Sequence, residues 1–356
     1  MTRSDRSGRS GWIVRDVRGV RMGTAAGRAG AALLVVVAAA ALAAPWLGPN
    51  DPNRRFDHLI YAPPTRIHFG SGGPEGPPLR LSGPHIYPWQ VVSRRERRFE
   101  EDRLRPVTLR WFADGRLVTA DPGAGVPLLL MGADSYGRDI FSRLLHGART
   151  SVTLALAATM AATLLGALIG GVSGQSAGWV DAVLSRITEF VLVLPAIYVA
   201  LAFRAVMPLV LPAGAVFLLL LGIFTALGWP VVARGVRAIV LAERGREYAL
   251  AARASGASSG RLLLRHLLPA ARGYMTTQAT LLLPAFILAE ATLSFIGLGF
   301  PDTIPTWGTM LRDAENVALL ADAPWSLAPA FAIFVVVLGV NLVVQGAGPT
   351  AIERNH

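Results

Sequence analysis

Six apolar runs, at residues 30–47, 151–172, 187–206, 209–232, 275–297 and 324–344, divide the chain. Each is close to the roughly 20 residues that cross a hydrocarbon core of about 30 Å at 1.5 Å per residue. The pattern therefore predicts an all-α polytopic membrane protein with six transmembrane helices. The first run follows an arginine-rich tail, as a secretory signal would, but it exceeds the about 7–15 apolar residues of a signal and reads as an uncleaved first span, residues 29–47. The longest polar connection, residues 48–147, separates the first two spans. Pro63-Pro64, Gly72-Gly73-Pro74 and Gly76-Pro77-Pro78 mark irregular backbone in its first part. Further on, Val107 to Arg110 and Leu117 to Thr119 alternate apolar and polar side chains around Asp114-Gly115, which predicts a β-hairpin. An isolated hairpin is marginal, so a small β-containing module is expected there.

Composition fits a membrane solvent: of 356 residues, 53% are hydrophobic and only 16% charged. Charge then sets the expected topology. No lysine occurs, so all 34 basic residues are arginine and the net charge is +11. Arg3, Arg6, Arg9, Arg15, Arg18, Arg21 and Arg28 crowd the tail 1–28 against only Asp5 and Asp16, which the positive-inside rule assigns to the cytoplasm. Six crossings return the tail 346–356 to that side. The same alternation makes residues 233–272 cytoplasmic, and they carry Arg234, Arg237, Arg244, Arg246, Arg253, Arg261, Arg265 and Arg272. The acidic connection between the last two spans (Asp302, Asp313, Glu315, Asp322) and the segment 48–147 fall on the other face, so the β-containing insertion is expected to be extracytoplasmic. Residues 148–345 then form a five-helix core, in a multi-pass protein of the cell membrane whose N- and C-termini are cytoplasmic and whose surroundings are membrane lipids.

Several chemistries drop out. The arginines flank apolar runs without interleaved aromatic platforms, which argues against nucleic acid as a partner. Cysteine is absent, removing disulfides and thiolate sites. His58, His68, His85, His146, His266 and His356 never fall at i, i+4 spacing, so no metal site is expected.

The connection between the fourth and fifth spans has the composition of folded structure. A helix is expected over residues 237–254, with Glu243, Glu247 and several arginines at pairing distance and Gly245 inside it. It should end at Gly256 in a left-handed conformation, with Ser258 or Ser259 capping a second helix that runs to Leu268 and stops at Pro269. The flank of this corner (Ala249, Ala251, Ala252, Ala254, Ser255, Gly256, Ala257) is small-sided, so another protein's surface could approach closely. Composition and charge leave an ordinary cytoplasmic connection and a docking knob both open.

The run Glu247-Tyr248-Ala249-Leu250-Ala251-Ala252-Arg253-Ala254-Ser255-Gly256-Ala257-Ser258, followed by Arg261, Arg265-His266 and Leu268-Pro269, resembles the EAA loop of binding-protein-dependent ABC importer permeases. Leu250 stands where that loop has its naming glutamate, and Ala270 where an asparagine usually follows the Leu-Pro pair. Three more stretches resemble the oligopeptide and dipeptide "C"-type branch. They are Gly132 to Asp139 with Ser142-Arg143-Leu144 and Gly147 to Ser151; Trp229, Arg234 and Arg237; and Glu290 to Gly299 with Pro305, Trp307-Gly308 and Met310-Leu311. The likeness covers residues 131–341. The connection 48–147 is longer than that family's minimum, and the chain after Asn341 lacks its usual acidic and arginine-rich ending.

The resemblance implies a permease subunit, not an enzyme, that forms a pore with a second homologous permease, receives substrate, with peptides foremost, from an extracytoplasmic solute-binding protein, and couples to two ABC ATPase subunits. ATP would be bound by those partners, and no cofactor by this chain. It assigns Glu247, Tyr248, Ala249, Ala251, Ala252, Arg253, Gly256, Ser258, Arg261, Arg265 and Pro269 to the coupling helix that docks the ATPase. Glu290, Ser294 and Asn341 stand as pore or gating candidates. A phosphate-binding GxxxxGK[ST] loop needs a lysine, and this chain has none, so energy must come from a partner. An ion-coupled secondary transporter of small solutes is the alternative, and Glu189 near the third span and Glu290 within the fifth are the sparse intramembrane charges it would use. No HExxH, paired aspartates or GxSxG stands on a span to make an intramembrane enzyme.

Overall fold

A stretch made wholly of alanine, leucine and valine after Gly30 forms most of α1 (Ala25–Leu42), which breaks at Ala43 and resumes as α2 (Ala44–Leu47), because Pro45 has no N–H to offer the preceding turn. The single first span expected from hydropathy is thus two helical pieces. The computed structural model describes residues 25–69, 83–176, 178–195, 198–199, 201–202 and 212–346.

The next helix, α3 (Ile140–Gln175), starts well ahead of residue 151. Its origin is set by a cap, not by the lipid boundary: the Asp139 carboxylate accepts from the Phe141 N–H at 3.1 Å. After Gly178, α4 (Trp179–Val193) stops where Leu194 turns extended ahead of Pro195, as a residue before proline tends to. Much of the remaining third run, and Pro208 just beyond it, lies outside the described residues.

Then α5 (Ala213–Glu243) passes the expected boundary at residue 232 and absorbs residues 237–243, which the sequence assigned to a separate loop helix. The break falls instead at Arg244-Gly245-Arg246. Further along come α8 (Arg272–Phe295), with Pro284 inside it, and α9 (Ala328–Gly346). The intervening α6 (Glu247–Ala254) and α7 (Ser259–Leu262) belong to the loop described below. Five helical stretches among the described residues are long and apolar enough to cross a membrane: α1, α3, α5, α8 and Pro324–Gly346.

Small residues decide how these helices meet. Ala158, Ala162, Gly166, Gly170 and Gly174 recur every fourth position and form one buried seam on α3. A methyl group at Gly166, Gly170 or Gly174 would collide with the carbonyl of Trp229, Ala233 or Arg237 respectively, so α5 runs parallel to α3 at backbone contact. Gly30 of α1 meets Gly339 of α9 in the same manner, in an antiparallel crossing. Between them the core closes on Leu154, Leu220, Phe224, Phe286 and Ile287, with the rings of Phe224 and Phe286 stacked at 5.3 Å.

The described residues between α2 and α3 contain six strands: β1 (Ile67–His68), β2 (His85–Ile86), β3 (Trp89–Ser93), β4 (Arg98–Glu101), β5 (Val107–Ala113) and β6 (Arg116–Ala120). One sheet has the order β1-β2-β5-β6 and a second pairs β3 with β4. Asp114 and Gly115 both have positive φ, 54° and 71°, as the tight turn joining β5 to β6 requires. Ile86, Val107, Leu109, Ala120 and Leu128 make a small core beneath the sheet.

This module shares one end of the bundle with the acidic stretch that follows α8. Buried Arg138 donates to Asp134 at 2.6 Å and to the Asp302 carbonyl at 2.9 Å. Arg143, equally buried, reaches the carbonyls of Pro52 and Asp302, both at 3.2 Å. Arg97 on the β3–β4 turn pairs with Asp322 at 2.8 Å. The residues from 244 to 270 lie at the opposite end of α3, whose 36 residues span roughly 54 Å.

Candidate functional site

Glu247 opens α6 (Glu247–Ala254) and Arg253 closes it, each at the helix end whose partial charge it complements. The helix ends as its sequence requires. Gly256 has φ of +83°, its N–H bonds the Arg253 carbonyl at 2.9 Å, and the Ala257 N–H bonds that of Ala252 at 3.0 Å. These are the two hydrogen bonds of a Schellman cap, and they fix the corner.

Ser258 then holds the N-cap backbone of α7 (Ser259–Leu262), but no serine hydroxyl makes the expected cap; the Ser258 carbonyl accepts the first helical bond, from Leu262 N–H, at 2.9 Å. Nor does the helical path stop at Pro269. A π turn over Leu263–Leu267 widens the helix, with the Leu268 N–H reaching back to Leu263, and Leu268–Ala270 continues through the proline. The wider turn accommodates a residue that lacks its own N–H.

The corner folds against the end of α5. Ala249, Leu262, Leu263, Leu267 and Ala271 pack on Val232, Val236 and Val240, with Ala252 partly buried beside them. The opposite face is open: Glu247, Tyr248, Leu250, Ala251, Arg253, Gly256, Ser258, Arg261 and Arg265 are exposed, and Pro269 is half-buried. Small side chains and two leucines, Leu250 and Leu264, therefore face outward inside an arginine rim. The Tyr248 hydroxyl donates to Glu243 at 2.7 Å. Desolvation, then that hydrogen bond and the carboxylate's charge, push the phenol up to about 12, keeping it a neutral donor.

Three residues that carried no local signal brace this end of the bundle, Arg244 and Gln175 at the corner and Asp181 between α4, α5 and α3. Arg244 donates to the Gly174 and Ser176 carbonyls at 3.1 and 2.9 Å, satisfying the C-terminal end of α3. Gln175 donates to the Ser259 carbonyl at 2.9 Å. Asp181 of α4 takes both Nε and Nη2 of Arg237 at 2.7 Å, and Ser173 of α3 donates to the same carboxylate. Their partners lie 56 to 84 residues away, except for Ser173, so no periodicity could reveal them.

The pore or gating candidates divide. Glu290 and Ser294 sit together in a buried knot: Ser151 donates to Glu290 Oε2 at 2.7 Å and Ser294 to Oε1 at 2.8 Å. Ser294 Oγ accepts the Phe300 N–H, Ser151 Oγ accepts the Trp307 N–H, and Gly308 lies so close to Ala291 that a methyl group would collide. This knot welds α8 to α3 and to the short helix Trp307–Met310. Asn341 is elsewhere, exposed on α9. Among the described residues no group of three His, Cys, Asp or Glu is placed to hold a metal ion.

Residues 162–348, from the glycine seam of α3 through α9, match the family described as binding-protein-dependent transport system inner membrane component. The dipeptide transport system permease protein of Alkalihalophilus pseudofirmus is 35% identical over 216 residues, 60% of this chain and 68% of that one. The oligopeptide transport system permease protein of Bacillus subtilis is 37% identical over 216 residues, again 60% and 68% of the two chains. A putative peptide permease protein of Brucella ovis is 36% identical, covering 60% and 70%. With the match spanning the glycine corner, Glu290 and Ser294 of the polar knot and much of the helices that hold them, the chain belongs to the family of binding-protein-dependent transport system inner membrane components.

Proposed function

We propose that this chain is the permease subunit of an ABC importer for peptides, forming the translocation pore with a second homologous permease and receiving substrate from an extracytoplasmic binding protein. Two ATPase subunits supply the energy, and the corner from Glu247 to Pro269 docks one of them. The names of its relatives support the substrate class. Its arginine-rich loop and N-terminal tail support a cytoplasmic location for that end of the bundle and for both termini, with the β module outside. Trp179 follows the loop-side end of α3 and Ala213 opens α5, which runs toward the loop, so the stretch between them supports a sixth crossing.

The observation that carries the docking assignment is the two-faced corner. Its inner face is cemented to α5, whereas its outer face presents alanines, glycine and leucine that nothing among the described residues covers. Ala251→Trp adds bulk to the outer face alone. Membrane insertion is expected to persist while co-purification with the ATPase subunits and peptide uptake are lost; intact ATPase binding and uptake would refute docking. In proteoliposomes, uptake should require ATP and the binding protein. Uptake by this chain alone under an ion gradient would favour secondary transport, against which the fully hydrogen-bonded Glu290 argues.

A further inference from the structure

We propose that the tip of the β5–β6 hairpin is a membrane-interface anchor, with Trp111 and Phe112 seated among the lipid headgroups beside the point where the first span leaves the bilayer. The position of the tip comes from the chain itself. Apolar sequence ends at Leu47, and Arg116, the first residue of β6, donates to the Pro49 carbonyl at 2.6 Å. Arg116 is paired across the turn with Ala113, and Trp111 with Val118, while β6 packs against α2. At about 3.3 Å per strand residue, Trp111 lies about 7 Å along β5 from Ala113, the partner of Arg116, which puts the tip of the hairpin beside the exit of the span. The headgroup zone begins there and extends for about 5–8 Å beyond the hydrocarbon.

The chemistry of the tip suits that layer and not water. Val107 and Leu109 on β5 and Ala120 on β6 are buried in the module's core, but nearer the turn protein cover ends: Trp111 is 56% and Phe112 81% exposed. Phe112 also holds φ of 54°, a left-handed conformation unfavourable for a bulky side chain, in a strand whose register continues without a bulge. On the span itself Leu42 and Trp46 are exposed by 77% and 69%, so the apolar flank of the first span continues toward the hairpin. An indole with its N–H and a phenyl ring are the side chains that interfaces select. Seating in the bilayer makes the module's orientation a property of the membrane surface as well as of its contacts to Asp302 and Asp322.

The absence of cysteine makes a direct test possible. A single nitroxide is attached at Phe112→Cys, at Trp111→Cys, or at Leu104→Cys, which is exposed at the other end of β5. The full chain is reconstituted in phosphatidylcholine–phosphatidylglycerol nanodiscs, and collision rates are measured with oxygen, which concentrates in lipid, and with a water-soluble nickel chelate. Oxygen collisions should exceed chelate collisions several-fold at 111 and 112, with the order reversed at 104. A label at 112 as open to the chelate as the one at 104 would overturn the proposal. So would shielding from both reagents, which would mean that protein covers the tip.

Discussion

The carboxylate of Asp139 is wholly buried, yet it accepts from Phe141 N–H, from Ser142 Oγ at 2.5 Å and from Asn50 Nδ2 at 3.0 Å, joining the start of α3 to the exit of the first span. Burial wins over these donors and pushes its pKa up to about 6. The folded protein therefore holds a proton that the unfolded chain, near 4, has released. Stability contributed by this group is fully present below about pH 4, declines as pH rises through 6 and is flat above, a loss of about 3 kcal/mol at most. Asp139→Asn cannot ionise, so the stability difference between variant and parent in detergent should move in the variant's favour between pH 4 and 7 and then level off. A difference independent of pH would mean that the carboxylate stays ionised throughout. Glu290 poses the converse question, since a buried acid in a transporter invites a role in proton coupling. Its two hydroxyl partners can turn to accept as well as donate, so Glu290→Gln should retain the knot and peptide uptake. Glu290→Ala strands both serines and opens a cavity, with an expected cost of about 3–5 kcal/mol in thermal unfolding. Loss of uptake in a well-folded Gln variant would return Glu290 to the coupling machinery.

Helices in this chain are longer than the apolar runs that betray them, and the reasons are particular. Hydropathy reports the lipid boundary, whereas α3 begins at the Asp139 cap and α5 ends at Arg244-Gly245-Arg246, both beyond that boundary. The hairpin turn at Asp114-Gly115 and the Gly256 corner were legible because each needs a positive φ that few residues adopt. The π turn before Pro269 was not, because it depends on how Leu263 and Leu267 pack against α5. Which helix meets which is likewise hidden: the four-residue spacing of Ala158, Ala162, Gly166, Gly170 and Gly174 is visible in the chain, but not that it faces Trp229, Ala233 and Arg237. That seam makes a sharp prediction. Gly170→Ala places a methyl group against the Ala233 backbone in a contact neither helix can relieve, and should lower stability by about 1–3 kcal/mol or more. Gly222→Ala, inside the facing helix α5 but pointing to open space, should change it by less than about 1 kcal/mol. Equal effects in thermal unfolding would mean that backbone contact along the seam is not what binds the two helices.

At the scale of the whole molecule, two polar assemblies stand at opposite ends of α3. One joins Arg138 and Arg143 to Asp302; the other joins Arg244 to the carbonyls at the end of α3 and Gln175 to Ser259 of the corner. Sequence reading identified the corner but not its fastening, because side chains that meet across 68 to 84 residues leave no local pattern. The fastening matters to mechanism. On the proposed docking, a force applied by an ATPase at Ala251 or Gly256 would tilt α3 only through rigid connections, and apolar packing on Val232, Val236 and Val240 ties the corner chiefly to α5. Arg244 supplies a connection to α3 beside the Gln175–Ser259 bond, through a cation donating to the carbonyls at the end of that helix. Such charge-assisted bonds contribute about 1.5–3 kcal/mol each. Arg244→Ala leaves the outer face of the corner unchanged, so ATPase subunits should still co-purify and hydrolyse ATP, while peptide uptake in proteoliposomes falls by about tenfold or more, the equivalent of about 1.4 kcal/mol of lost coupling. The pattern separates transmission from docking: Ala251→Trp should abolish both co-purification and uptake, whereas Arg244→Ala should divorce them. If Arg244→Ala also released the ATPase, its role would be to shape the docking face; if uptake and hydrolysis stayed proportional, the motion would travel through α5 alone.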